Sequence, residues 1–91
     1  MIKKNITITN PSGLNVDPAL ILSRHAREYQ CTSIIRYKHY IINVKSMIHI
    51  LSAALVCGTE IELECDGTDE EQCMKDLCSL FEHGLEQETT S

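Results

Sequence analysis

Glu60-Ile61-Glu62-Leu63-Glu64-Cys65, followed by Gly67 and then Thr68-Asp69-Glu70-Glu71, sets two different periods side by side. Ile61, Leu63 and Cys65 fall on one side of an extended chain and Glu60, Glu62 and Glu64 on the other. The segment therefore predicts a strand with one core face and one face open to water. Gly67 turns the chain. Thr68 to Glu71 has the spacing of a capping box ahead of Cys73, Leu77 and Leu80, with Met74 and Phe81 beside them, which predicts a helix with one apolar stripe. A one-faced strand that runs into a one-striped helix asks for helices laid on one side of a sheet, an α+β arrangement. The three glutamates read as a solvated surface that also blocks edge pairing, rather than as a carboxylate cluster for a metal or for acid–base work.

The remainder of the chain extends this pattern in both directions. Ile2, Ile6 and Ile8 alternate with polar residues and predict a first strand, broken by Asn10-Pro11-Ser12-Gly13. From Pro18 to about Tyr29, the residues Ala19, Leu22, Ala26 and Tyr29 share one stripe, which predicts an amphipathic helix. Thr32–Tyr37 and Tyr40–Val44 are β-rich runs around Lys38-His39, a tight hairpin without the usual Asn-Gly turn. Met47 to Leu55 is a short apolar helix opened by Ser46 and ended by Cys57-Gly58. The order is β-α-β-β-α-β-α in one domain over residues 1–87, with a polar tail over 88–91.

Composition excludes several functions. The 91 residues leave no room for a separate catalytic domain, and the net charge of −5 argues against nucleic-acid binding, which wants a basic stripe. No run approaches the roughly 18 apolar residues of a membrane span, and no leader follows Met1, so a cytosolic protein is expected. Cys31, Cys57, Cys65, Cys73 and Cys78 form an odd set without a C-x-x-C pair. They read as reduced thiols, mostly small core residues, with Cys57 the one placed in a loop. His25, His39, His49 and His83 are too scattered for metal-ligand spacing, so neither a metal nor any other cofactor is expected.

Gly13-Leu14-Asn15-Val16-Asp17-Pro18-Ala19 is a well-formed helix start, with Asn15 suited to the N-cap, Asp17 to the positive end of the helix and Pro18 to an early helical position. It also closely resembles the Gly-Leu-His-x-Arg-Pro-Ala motif of HPr, the small phosphocarrier of the bacterial phosphoenolpyruvate:sugar phosphotransferase system. The resemblance extends over about residues 2–86, through Gly13, Leu14, Pro18, Ala19, Lys45, Ser46, Gly58, Thr59, Gly67 and Glu70. It implies an open-faced sandwich, a four-stranded, mainly antiparallel sheet with three helices on one face. In that frame Asn15 stands at the phosphorylated histidine and Asp17 at the arginine that holds the phosphate. An amide offers no lone pair comparable to imidazole. A carboxylate roughly 4 Å from a phosphoryl group opposes it by about 4 kcal/mol at an effective dielectric near 20. The resemblance thus implies a carrier-like protein that is not an enzyme and has lost its phosphohistidine.

Lys45-Ser46-Met47 resembles the start of the second helix of HPr proteins, where in many members the serine is phosphorylated by a dedicated kinase. Ser46 is accordingly a phosphorylation candidate, although a serine there also serves as a plain helix cap. Met47, Ile48, Ile50, Leu51, Ala53, Ala54 and Leu55 wrap nearly all round a short helix, so part of that surface must face outward. Leu20, Arg24, Met47, Ile48, His49 and Leu51 are the expected partner-binding residues. The partners implied are phosphotransferase-system proteins, an HPr kinase or a transcriptional regulator, with a homodimer as a further use of the same surface. A catabolite-repression variant of HPr, which also lacks the histidine, is the nearest pattern. Two other readings stay open: phosphotransfer through another acceptor residue, and an oligomerising domain without any phosphate.

Overall fold

The computed structural model describes residues 1–83 and 85. Its elements are β1 (Ile2–Thr7), α1 (Val16–Ala26), β2 (Thr32–Tyr37), β3 (Tyr40–Asn43), α2 (Met47–Ala53), β4 (Glu60–Asp66) and α3 (Glu70–Glu82). The expected tail over 88–91 and the domain boundary at 87 lie outside the described residues. No helix among the described residues is long and apolar enough to cross a membrane.

The sheet runs β1-β4-β2-β3 and every pairing is antiparallel. Along β4, Cys65 lies opposite Ile2 of β1 and Ser33 of β2, Leu63 opposite Ile35, and Ile61 opposite Ile6. Alternation thereby puts Ile61, Leu63, Cys65, Ile35 and Ile42 on one inner face, where each is at most 2% exposed. Helix α3 packs on β4 and β1, α2 packs on β3, and α1 lies against α2 and α3. Leu22, Ala19, Ala26, Cys73, Leu77 and Ile50 fill the layer between helices and sheet. The α+β reading and the element order hold.

Four local expectations are corrected. Strand β4 is central, with partners on both edges, so its glutamates guard no edge. Nor are all three solvated: Glu64 is 7% exposed and accepts from the Arg36 guanidinium Nε at 3.2 Å, with Lys3 opposite it on β1. Helix α1 occupies Val16–Ala26 rather than Pro18–Tyr29, so Tyr29 packs on the core from the turn that follows. Helix α2 stops at Ala53 because Ala54 adopts a left-handed conformation at φ 51°, ahead of Cys57-Gly58. In the hairpin Lys38 takes φ 56°, a conformation usually given to Gly or Asn, with its ammonium 5.3 Å from the Tyr37 ring centre.

The fourth correction concerns the start of α3. Asp69 is its N-cap but makes no side-chain bond to its own helix. The carboxylate reaches across to the loop before β2, accepting from the backbone N–H of Gln30 at 2.8 Å and of Cys31 at 2.9 Å. The capping-box role falls to Glu70, not Glu71: its Oε1 accepts from the Gly67 N–H at 2.9 Å, and both its oxygens accept from the Met1 ammonium at 2.8 Å. Gly67 is required here for space, since a Cβ would sit 2.6 Å from the Cys31 Cα.

These bonds have a pH signature. The N–H groups of Gln30 and Cys31 hold the Asp69 carboxyl below its ordinary value of 3.8, and the Met1 ammonium together with the Gly67 N–H does the same to Glu70. A carboxyl lowered in the folded state contributes stability that is present above its unfolded value and is lost as pH falls through the folded one. Thermal melts across the acid range should show the midpoint of the native chain falling below pH 3.8. Asp69→Asn should flatten that part of the profile. An equal acid slope in the two proteins would remove Asp69 from this role.

Candidate functional site

Two loops meet at the start of α1, and backbone geometry fixes how. Past β1, Ile8 donates its N–H to the Thr59 carbonyl at 2.9 Å and accepts from the Gly58 N–H at 2.8 Å. Gly13 then turns with φ 71°, its N–H on the Asn10 carbonyl, and Leu14 donates to the Leu55 carbonyl at 2.9 Å. A Cβ on Gly13 would collide with the Leu55 carbonyl oxygen and lie 2.9 Å from the Val56 Cα. The missing side chain is what lets the segment before α1 lie against the segment after α2.

Asn15 is the N-cap residue of α1 by position, with its carbonyl accepting from the Ala19 N–H at 2.9 Å. Its side chain makes no capping bond, which corrects the expectation drawn from residue type. The exposed amide instead borders a hollow lined by Ser12, Leu14, Asn15, Leu51, Ala54, Leu55 and Val56. Asp17 follows in the first turn, also exposed, while Pro18 and Ala19 are buried and seat the helix on the core. A negative side chain in the first turn suits the helix and disfavours a bound anion.

Ser46 caps α2 as its residue type predicts, with Oγ accepting from the His49 N–H at 3.2 Å. His49 is tied into the same turn, its Nδ1 accepting from the Asn43 N–H at 3.0 Å, and Asn43 Oδ1 accepts from the Lys45 N–H at 3.0 Å. The ring therefore fastens β3 to α2 as well as facing outward. Ile50 alone of α2 is fully buried; Met47 and Leu51 are half-buried, and Ile48 is 77% exposed.

Of the expected partner-binding residues, Leu51 reaches the hollow beside Asn15, whereas Met47, Ile48 and His49 lie elsewhere on α2, and Leu20 and Arg24 elsewhere on α1. Sequence reasoning missed Val16 and Val56, which are 55% and 62% exposed at the two meeting segments. Val16 is apolar and directly follows the cap, and that is a usable signal. Val56 faces outward because Ala54 reverses the chain, which no residue type announces.

The other histidines are mostly engaged. His25 Nδ1 lies 3.2 Å from Asp76 Oδ2, which also accepts from the Tyr29 hydroxyl at 2.9 Å. Burial, with Asp76 adding to it, pushes the Tyr29 hydroxyl up to about 12. His83 Nδ1 contacts the Ser79 carbonyl at 2.8 Å, and His39 is exposed in the hairpin turn. Linear spacing suggests no metal-ligand set, yet the fold gathers Cys31, Cys65 and Cys73, and separately His25, Glu28 and Asp76, each set with its ligand atoms within 4.8 Å.

Comparison with known proteins matches residues 2–83 to the family described as "PTS HPr component phosphorylation site". The chain is 26% identical to the phosphocarrier protein HPr of Treponema pallidum, across 97% of this chain and all of that protein. It is 27% identical to the HPr-like protein Crh of Halalkalibacterium halodurans, across 90% of this chain and 98% of that one. Among solved structures, HPr-C-His from Thermoanaerobacter tengcongensis superimposes with a TM-score of 0.91 at 28% identity, over 98% of this chain and all of the other.

Gly13→Ala should lower the thermal midpoint by at least about 4 °C, since it combines a left-handed φ with a backbone collision. Calorimetry checks this, and an unchanged midpoint would mean that the junction of the two loops is not tight.

Proposed function

The chain belongs to the HPr family and so to the phosphotransferase-system proteins, and on that premise we propose that it is a cytosolic regulatory binding module that has lost phosphotransfer through histidine. The observation that carries this reading is the pairing of exposed Asn15 and Asp17 at the start of α1 with an apolar surface beside them. The position that would need a nucleophile holds an amide, and the position that would need a cation holds a carboxylate. Docking needs neither. Leu51 and the exposed Val56 line the hollow, and Val16 on α1 and Ile48 on α2 expose further apolar area of the kind that protein partners cover.

In this reading Ser46 is the switch. Its hydroxyl already engages the His49 N–H, and a phosphate there would add nearly two negative charges beside Lys45 and next to the exposed Ile48. A partner such as a transcriptional regulator, with a basic group set beside an apolar pocket, would then distinguish the two forms. The relatives include both phosphocarrier HPr proteins and an HPr-like protein Crh, so the choice between the two roles rests on Asn15 and Asp17.

Incubation with an HPr kinase and ATP tests the switch. Intact mass should show one added phosphate, mapped to Ser46 and absent from Ser46→Ala. No phosphate, or one mapped to another residue, sinks the regulatory part of the proposal.

A further inference from the structure

The least expected gathering of chemistry lies outside the hollow at the start of α1. Cys31 precedes β2, Cys65 is on β4 and Cys73 is on α3, yet their three sulfurs lie within 4.8 Å of one another and the residues are 1%, 0% and 0% exposed. Cys65 and Cys73 are already 3.7 Å apart. Sulfurs sharing one ion at lengths near 2.3 Å stand about 3.4 Å apart at pyramidal angles and about 3.8 Å apart at tetrahedral ones. The Cys65–Cys73 pair lies within that span, and Cys31 needs to close by no more than about 1.4 Å.

A core that merely stores three small thiols would not account for their neighbour. Ser33 follows Cys31 by two residues and lies directly opposite Cys65 across the β2–β4 ladder, so it belongs to the same inner face. It is 1% exposed, and its hydroxyl makes no hydrogen bond among the described residues. An orphaned buried hydroxyl is unfavourable in a dry core and useful beside a bound group, as a donor to a coordinating sulfur or as a further ligand.

We propose that Cys31, Cys65 and Cys73, with Ser33 beside them, form a buried site for one thiophilic ion, and that an ion of charge +3 is preferred over one of +2. Three thiolates around arsenic(III) leave no net charge. Around cadmium or zinc they leave −1, in a low-dielectric core with the Asp69 carboxylate held on the Cys31 N–H. Loading by arsenite is redox-neutral: three As–S bonds form from As(OH)3 and three thiols as three As–O bonds and three S–H bonds break, releasing three waters. A divalent ion instead displaces three protons to solvent. Thiolate donors are the expected partners of both ions, and the neutral Ser33 hydroxyl beside them adds no charge to either complex.

The test uses Cys57→Ser/Cys78→Ser, which removes the exposed and half-exposed thiols and keeps the three in question. Arsenite and cadmium are added in parallel under reducing conditions. Native mass should show one arsenic per chain, arsenic-edge X-ray absorption should read three sulfur neighbours, and the thermal midpoint should rise by several degrees. Cadmium should bind with the same stoichiometry and at least tenfold more weakly. Cys65→Ala or Cys73→Ala in that background should lose the arsenic. No uptake, fewer than three sulfurs, uptake that survives those substitutions, or tighter cadmium binding would overturn the proposal. If the alanine variants fail to fold, the sulfur count in the three-thiol protein still decides.

Discussion

Strand β4 is the constraint on which the rest of the fold depends. It is hydrogen-bonded along both edges, and its inner residues Ile61, Leu63 and Cys65 are essentially buried beneath the helices. A slip of one residue in either ladder would turn those side chains outward and bring glutamates in, so the register of β1 and β2 is set by burial. The same register places Gly67 over Cys31, which brings the Asp69 carboxylate within reach of two backbone N–H groups in the opposite loop. Through that contact the position of α3 is decided at the end of β4.

The end of the molecule at the start of α1 is built by a different means. There the chain relies on backbone shape at Gly13 and Ala54, which lets the start of α1 and the end of α2 touch. The surface so made is largely side-chain independent at Asn15 and Asp17, both exposed. Substitution at those two positions can thus abolish phosphoryl chemistry at little structural cost, while the apolar residues around them continue to offer area to a partner. The frame, which matches the HPr family over residues 2–83, and the chemistry at the start of α1 are thus set by different residues.

The elements legible in the sequence are those in which one period dominates. The alternation in β4, the stripes of α1 and α3 and the cap at Ser46 are local properties and lie at the residues the sequence indicates, except that Tyr29 falls beyond the end of α1. Glu64 was misread because its burial depends on Arg36 and Lys3 from neighbouring strands. The start of α3 departs from the Thr68–Glu71 capping-box spacing because the Asp69 carboxylate finds its partners 38 and 39 residues away. Val56 and the end of α2 depend on a left-handed alanine, a conformation no propensity favours. The gathering of Cys31, Cys65 and Cys73 is likewise a product of strand order, invisible to any spacing rule along the chain.

The central claim is that the site at the start of α1 has the frame of a phosphohistidine centre without its chemistry. The direct measurement is intact mass after incubation with enzyme I and phosphoenolpyruvate, for the native chain, Asn15→His and Asn15→His/Asp17→Arg. The account predicts no phosphate on the native chain, little on the single variant because the Asp17 carboxylate remains, and an acid-labile phosphate on the double variant. An acid-labile phosphate on the native chain, at any of its four histidines, would contradict it.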